Sequence, residues 1–299
     1  MPRGIVFGLF ILSFASCLLA EDKLVFSFFR NNGEDGVYLA ESSDGLKWTE
    51  WNDGKPVLKP EVGESKLTRD PSIARGPDGV YHMVWTTSWT GRTIGYASSR
   101  DLKSWSRQRA ITVFPEEIPV LNCWAPEVFY DAPSEEFVVV WASTIAGKFP
   151  ETAGQAGKEY NHRLYSFRTH NFNEISPAKL FYEPGFTVID GALFRSGNRY
   201  AMVVKNETLN PPAKYLYLTY SHSLNGPWTE QGRRISGVDW AEGASPVQIG
   251  AYWYIYFDKY RDHKYGAVRS LDLQTWEDIS DRVEMPKGAR HGTVFWMKD

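Results

Sequence analysis

The chain has 299 residues, of which 42% are hydrophobic and 15% aromatic, so it can bury a large core. Its formal net charge is −3 and its pI is about 6.1. This balance gives no electrostatic basis for binding nucleic acid or an acidic membrane surface.

The first predicted element is an export signal over residues 1–20. Arg3 gives it a positive start, residues 5–19 form an apolar run, and polar residues follow. The run is short for a membrane span and is typical of a cleaved signal peptide. We therefore expect a secreted or periplasmic protein whose mature part, residues 21–299, is a single domain. The alternative is a lipoprotein signal lipidated at Cys17, and only this alternative predicts attachment to a membrane.

A short pattern then recurs along the chain: a strand ending in small polar residues, a turn, and a tryptophan. Four clear copies and one worn copy end, in chain order, at Trp48, Trp105, Phe172, Trp228 and Trp276. Self-similarity at this spacing predicts a repeat architecture such as a solenoid or a propeller.

Between these copies lie β-branched and aromatic runs of strand length, each after a turn signal, at 81–86, 137–141, 200–204 and 252–257. Four strands per repeat and five repeats predict an all-β chain folded as a five-bladed β-propeller, with four antiparallel strands in each blade. The strand that begins at His291 has no strands after it, while the N-terminus supplies three strands with none before. We expect this C-terminal strand to close the N-terminal blade.

Three acidic residues begin strands that we expect to line the central channel: Asp70, Asp190 and Glu242. We interpret them as occupying equivalent positions in three blades, so that they gather at one mouth of the channel. Cleavage of a glycosidic bond needs one carboxylic acid to protonate the leaving oxygen and one carboxylate to activate water or attack. A third carboxylate can raise the pKa of the acid. The three residues together therefore suit glycoside hydrolysis.

The motifs around these acids resemble those of glycoside hydrolase family 43, which includes arabinanases, arabinofuranosidases and xylosidases. The resemblance covers nearly the whole mature chain and is carried, in the family's order, by residues 69–73, 124–127, 189–191 and 241–243. It implies a five-bladed fold and hydrolysis with inversion. It also implies that Asp70 is the general base, that Asp190 orients the acid and modulates its pKa, and that Glu242 is the general acid. The chain has Ala244 where many members have proline, which leaves the substrate open.

Other residues are expected around the same mouth. The loops between second and third strands should reach it, at Trp89, 145–162, 205–206 and 258–260. Trp89 and Trp124 are candidates for stacking on sugar faces, and Arg290 is a candidate for pairing with a catalytic carboxylate or a sugar hydroxyl.

His291 opens the last channel strand and has two interpretations. In the resembling family a histidine near this position often helps to hold a calcium ion at the axis. The equal alternative is a histidine that is hydrogen-bonded within the core, since calcium prefers oxygen ligands. We expect no required cofactor, with structural calcium at the axis left open, and a monomer whose partner is its carbohydrate substrate.

Residues and resemblance together predict an exported, inverting glycoside hydrolase that removes arabinofuranosyl or xylosyl units from plant or algal polysaccharides or oligosaccharides. Two alternatives stay open. A non-catalytic carbohydrate-binding propeller should lack at least one of the three carboxylates. A retaining β-fructosidase uses the same propeller, but its pattern has asparagine after Asp-Pro and cysteine after the acid, where this chain has Ser72 and Gly243.

Overall fold

The computed structural model describes Met1 and residues 22–229, 231–237 and 239–297. The predicted export signal, with Cys17, therefore lies outside the described residues except for Met1. Within the described part of the chain, no helix combines the length and the apolar character needed to cross a bilayer.

The described chain is almost entirely β-structure, arranged as five separate antiparallel sheets. The first sheet contains β1 (Lys23–Phe29), β2 (Tyr38–Ser42), β3 (Thr49–Glu50) and the C-terminal β19 (Arg290–Met297). The second contains β4 (Arg69–Arg75), β5 (Tyr81–Thr86), β6 (Thr93–Ser99) and β7 (Arg109–Thr112). The third contains β8 (Trp124–Asp131), β9 (Glu136–Ser143), β10 (Arg163–Thr169) and β11 (Lys179–Tyr182).

The remaining two sheets follow the same plan. The fourth contains β12 (Val188–Ser196), β13 (Arg199–Asn206) and β14 (Leu216–Ser221), with an isolated bridge between Tyr217 and Arg234 at its outer edge. The fifth contains β15 (Ala241–Ile249), β16 (Tyr252–Lys259), β17 (Lys264–Ser270) and β18 (Glu277–Asp278). Single 3₁₀ turns lie at Asn52–Gly54, Pro150–Thr152 and Ser280–Arg282.

The five sheets are the blades of a propeller, and the predicted fold is confirmed. One edge strand of each sheet faces the centre, and these strands contact one another in a closed ring, in the order β4, β8, β12, β15 and β19. Closure of the ring joins the two ends of the chain: β19 pairs with β1 over a register that runs from Lys23 opposite Met297 to Phe29 opposite Arg290. The C-terminal strand thus completes the N-terminal blade, as predicted.

The recurring turns are built from side-chain hydrogen bonds to the backbone. In the first copy the Gly45 N–H donates to Ser42 Oγ at 2.9 Å and the Leu46 N–H donates to Asp44 Oδ1 at 2.8 Å. The tryptophan that follows, Trp48, is 8% exposed and packs edge-on against Tyr256 of the neighbouring blade. The repeat therefore ends each blade with a turn and supplies an aromatic side chain for packing between blades.

Removal of β19 should unfold the propeller rather than trim it. A chain ending at Lys287 leaves β1 without its inner partner and exposes Val25 and Phe26, which are completely buried. We expect loss of the cooperative thermal transition measured by circular dichroism. A chain ending at Met297 keeps every ladder pair of β19 and is the control. A cooperative transition in the shorter chain would contradict the closure.

Candidate active site

The innermost strand of every blade begins with a β-bulge, where two residues oppose one residue of the next strand. Four of these bulges carry a left-handed residue: φ is 52° at Asp70, 48° at Ala125, 55° at Asp190 and 62° at Gly243. Outside glycine this conformation costs roughly 1–2 kcal/mol, and bulges are often found where a side chain must be re-aimed. The bulges therefore point to the start of these strands as the functional end of the channel, which we call the mouth.

The ladder registers define two positions around the mouth. The first position is the last ladder pair before the bulge, and its residues are Arg69, Trp124, Ile189, Glu242 and Arg290. The second position is the next residue along, and its residues are Asp70, Ala125, Asp190, Gly243 and His291.

The register corrects one interpretation made from the sequence. Asp70 and Asp190 do occupy equivalent positions, but Glu242 lies one residue earlier, where it pairs directly with Asp258 of β16. The Glu242-Gly243 pair looks like Asp190-Gly191 in the sequence, but the two pairs are offset by one residue. Gly243, and not Glu242, has the left-handed backbone of the bulge. His291, on the blade closed by the C-terminal strand, takes the position equivalent to the two aspartates.

His291 is the residue that connects the site across the channel. Its side chain is buried, with Nδ1 3.4 Å from Asp70 Oδ1 on the adjacent strand and Nε2 3.4 Å from Glu127 Oε1 on β8, which is not a ring neighbour of β19. Burial lowers the pKa of His291, but the negative charges of Asp190, Glu127 and Asp70 outweigh burial and raise it to about 10. The ring is therefore an imidazolium at neutral pH.

Asp70 and Asp190 each accept a hydrogen bond that holds the carboxyl group in place. The donor to Asp70 belongs to its own blade, and the donor to Asp190 belongs to the next blade of the ring. The Thr86 hydroxyl donates to Asp70 Oδ2 at 2.8 Å, and the Gly243 N–H donates to Asp190 Oδ2 at 3.0 Å. Asp190 is 3% exposed, and burial together with the charge of Glu242 raises its pKa to about 6. Burial thus favours the protonated form of Asp190.

Glu242 lies between two cations. Lys205 Nζ donates to Glu242 Oε2 at 3.0 Å, and Arg290 Nη2 lies 3.5 Å from Glu242 Oε1. Burial acts to raise the pKa of Glu242, but the charges of Lys205, His291 and Arg290 prevail and lower it. Arg290 also donates through Nε to Asp258 Oδ2 at 2.6 Å, so the predicted pairing of Arg290 with a carboxylate is present in the geometry.

Two functional candidates had no role assigned from the sequence. Lys205, expected only at the rim, is 1% exposed and also pairs with Glu207 at 2.8 Å, which in turn contacts Lys214. Glu127 accepts a hydrogen bond from Ser72 Oγ at 2.7 Å and faces His291. The sequence offered two signals for these residues. One is a lysine directly after the apolar run of β13, and the other is an acid within the motif at residues 124–127, which begins β8.

The two predicted aromatic residues lie together at one side of the mouth. The rings of Trp89 and Trp124 meet edge to face at 5.7 Å, and Trp124 Nε1 donates to the Trp89 carbonyl at 3.0 Å. Trp124 also contacts the ring of Tyr160, in the long loop between β9 and β10. Trp89 is 48% exposed, so part of its side chain is accessible to a ligand. A cleft of about 900 Å³ lies elsewhere, between the outer parts of the first two blades.

The donors at the axis do not fit the calcium site that the resemblance suggests. Both nitrogens of His291 lie 3.4 Å from carboxylate oxygens, and calcium prefers oxygen ligands to nitrogen. In the described residues, no group of three or more His, Cys, Asp or Glu side chains is arranged to hold a metal ion. Calcium binding stays a prediction.

The charge of His291 predicts how stability depends on pH. Its folded pKa of about 10 lies above the unfolded value of 6.5, so its stabilising contribution is complete below pH 6.5 and is lost as pH rises towards 10. Asp190 and Asp258 have pKa values of about 6, below this window. The free energy of unfolding should therefore fall between pH 7 and pH 10, and less so in His291→Gln. His222→Gln, at an exposed site, is the control.

The charge state of the His291 ring can be measured directly by ¹⁵N NMR of its imidazole nitrogens. Two protonated nitrogens at pH 8 are expected for His291, and a neutral ring at that pH would contradict the assignment.

Comparison with known proteins agrees with this geometry. A family model described as "Probable glycosyl hydrolase domain", of the family-43-related group, matches residues 22–298. The chain is 22% identical over 230 residues to an α-L-arabinofuranosidase of Bifidobacterium longum subsp. longum, a match that covers 67% of this chain and 21% of the relative. The chain thus spans about a fifth of that curated relative's length.

Solved structures share the fold at low identity. A family-43 structure from Bacteroides ovatus is 18% identical with a TM-score of 0.55, covering 75% of this chain and 42% of its own. An exo-β-1,3-galactanase from Clostridium thermocellum is 14% identical with a TM-score of 0.63, covering 94% of this chain and 64% of its own. Because the family model spans nearly the whole described chain and these structures share its propeller, the protein belongs to the family-43-related glycoside hydrolases.

Proposed function

We propose that this protein is an exported enzyme that hydrolyses O-glycosidic bonds of plant or algal polysaccharides or oligosaccharides with inversion. The observation that carries the proposal is the convergence of Asp70, Asp190 and Glu242, from three blades, at one mouth around the imidazolium of His291. A catalytic pair of carboxyls with a third one beside it is what single-displacement glycoside hydrolysis requires.

Asp70 is suited to act as the general base. Its Oδ2 accepts from the Thr86 hydroxyl, which itself accepts from the Ala125 N–H at 2.8 Å, so the carboxylate is held between two blades. His291 Nδ1 lies 3.4 Å from Oδ1 and fixes the other side of the carboxyl group. A carboxylate fixed in this way can orient a water molecule and take its proton.

Glu242 is the proposed general acid, with Asp190 setting its proton affinity. Without substrate, Lys205 and Arg290 favour ionised Glu242, whereas Asp190 is the carboxyl with the raised pKa. Since the charges of Asp190 and Glu242 each affect the other's titration, the two carboxyls form one coupled acid system. We propose that a leaving-group oxygen placed at Glu242 draws on this shared proton.

The substrate proposed for this site is a terminal arabinofuranosyl or xylosyl unit. Support comes from the distant similarity to an α-L-arabinofuranosidase and from the exposed aromatic side chain of Trp89 beside Trp124, which suits contact with the apolar face of a sugar ring. Export is proposed from the N-terminal apolar segment at residues 5–19.

Hydrolysis of nitrophenyl arabinofuranosides, xylosides and galactosides tests the activity and the sugar. Proton NMR of the first-formed anomer tests the stereochemistry, and a product that retains the substrate's configuration would contradict inversion. Binding of these sugars without turnover would instead support a carbohydrate-binding propeller.

Variants should separate the base from the acid. Asp70→Asn and Glu242→Gln should each lower kcat/KM by about 10²–10⁴-fold on natural linkages, because each removes a proton-transfer group. On a dinitrophenyl glycoside, whose leaving group needs little protonation, Glu242→Gln should recover most of this loss and Asp70→Asn should not.

Asp190→Asn and the surface change Glu116→Gln complete the series. Glu116→Gln should behave like the wild type. Leaving-group rescue in Asp190→Asn but not in Glu242→Gln would transfer the acid role to Asp190. If the activated leaving group rescues none of the variants, both the assignment of Glu242 as the acid and its alternative, Asp190, are contradicted.

A further inference from the structure

The guanidinium of Arg69 is a cation at the mouth that forms no ion pair with an acidic side chain of the described residues. It occupies the first mouth position, directly before Asp70 and in the blade next to Arg290. Its Nη1 donates to the Asn32 side-chain oxygen at 3.1 Å and to the Asn32 carbonyl at 3.4 Å. Among the residues that the structure describes, no carboxylate lies within ion-pair distance of Arg69, and its Nε and Nη2 have no hydrogen-bond partner.

The guanidinium of Arg69 is nonetheless fixed in place. Its carbon lies 4.3 Å from the Trp89 ring centroid and 4.7 Å from that of Phe29. Trp89 Nε1 donates to the same Asn32 oxygen at 3.2 Å, which ties the tryptophan and the arginine to one acceptor. Gly33 leaves room for the Arg69 stem, because a Cβ there would meet Arg69 Cγ at 2.8 Å. Little rotamer entropy is left to lose when a ligand binds this arginine.

The other cations near the catalytic carboxyls are already paired. Arg290 bonds Asp258 and contacts Glu242, and Lys205 bonds Glu242 and Glu207. Arg69 is different because the Nε–Nη2 edge, one of the edges that binds planar oxyanions through two parallel hydrogen bonds, is unused. A fixed arginine with an unused edge, beside an exposed tryptophan, has the chemistry needed to bind an anionic group attached to a sugar.

We propose that the substrate carries an anionic substituent, a uronic acid carboxylate or a sulfate ester, and that Arg69 binds it. This inference rests on the proposed function, because it places the anion on a saccharide bound at the same mouth. Without Arg69, an anionic sugar would meet the negative charge of Asp70 with no neighbouring cation free to compensate. Arg69 is a specificity-determining residue in this scheme and takes no part in bond cleavage.

Matched pairs of polysaccharides test the proposal by affinity electrophoresis and by release of reducing sugar. One pair is a glucuronic-acid-substituted xylan and the same xylan after carboxyl reduction. The other is a sulfated algal galactan and the same galactan after desulfation. The wild type should prefer the anionic member of at least one pair by about tenfold or more, as expected for a charge-assisted bidentate contact. The pair that shows the preference identifies the anion.

Three variants locate the preference. Arg69→Gln should abolish the preference for the anionic member, and Arg69→Lys should keep part of this preference, since lysine retains the charge without the fork. Arg199→Gln is the matched control: Arg199 also stacks on an aromatic ring, 4.0 Å from Tyr220, but lies at the opposite end of the propeller. It should behave as the wild type, and thermal transitions should show that all variants fold.

Equal affinity for both members of each pair, retention on none of the anionic polysaccharides, or a preference that survives Arg69→Gln would overturn the proposal. The outcomes separate it from the proposed function. Anion-dependent retention without turnover would remove the hydrolase assignment but keep the role of Arg69. Turnover without anion preference would keep the hydrolase assignment but remove the role of Arg69.

Discussion

One buried imidazolium organises the centre of this propeller. His291 comes from the strand that closes the ring, and it faces Asp70 on the neighbouring strand and Glu127 across the channel. A buried charge is stable only when it is compensated: the surrounding carboxylates raise the pKa of His291, and the charge of His291 in turn acts to lower the pKa of Glu242. Ring closure and the electrostatics of the site therefore depend on the same strand.

The fold supplies geometry at the mouth and the individual blades supply chemistry. A bulge at the start of each inner strand repeats with the blades, yet the residue that follows the first ladder pair is aspartate in two blades, alanine in one, glycine in one and histidine in one. Proteins of this architecture can thus exchange side chains at equivalent positions without altering the backbone that aims them.

Much of this arrangement was predictable from the sequence because the repeat is strong. The recurring polar turns and tryptophans, and the orphan strand at His291, were sufficient for the blade count and the closure. The position of Glu242 was not, because a one-residue register depends on ladder pairing with Asp258, which no local motif reveals. The pairing of Lys205 with Glu242 was also hidden, since Glu242 reaches the lysine from the neighbouring blade only after folding.

The contacts of Glu242 constrain any mechanism assigned to this site. Two cations hold it ionised when no substrate is present, so a proton for the leaving group must come from a neighbour or from a change in those contacts. Asp190 and Asp258 are both neighbours with a pKa of about 6, and Glu207 is a second partner of Lys205. A substrate that draws Lys205 towards Glu207 would weaken one of the two ion pairs that lower the pKa of Glu242. In the proposed mechanism the buried lysine would influence the proton affinity of Glu242, and its position next to Glu242 follows from the contact of β13 with β15.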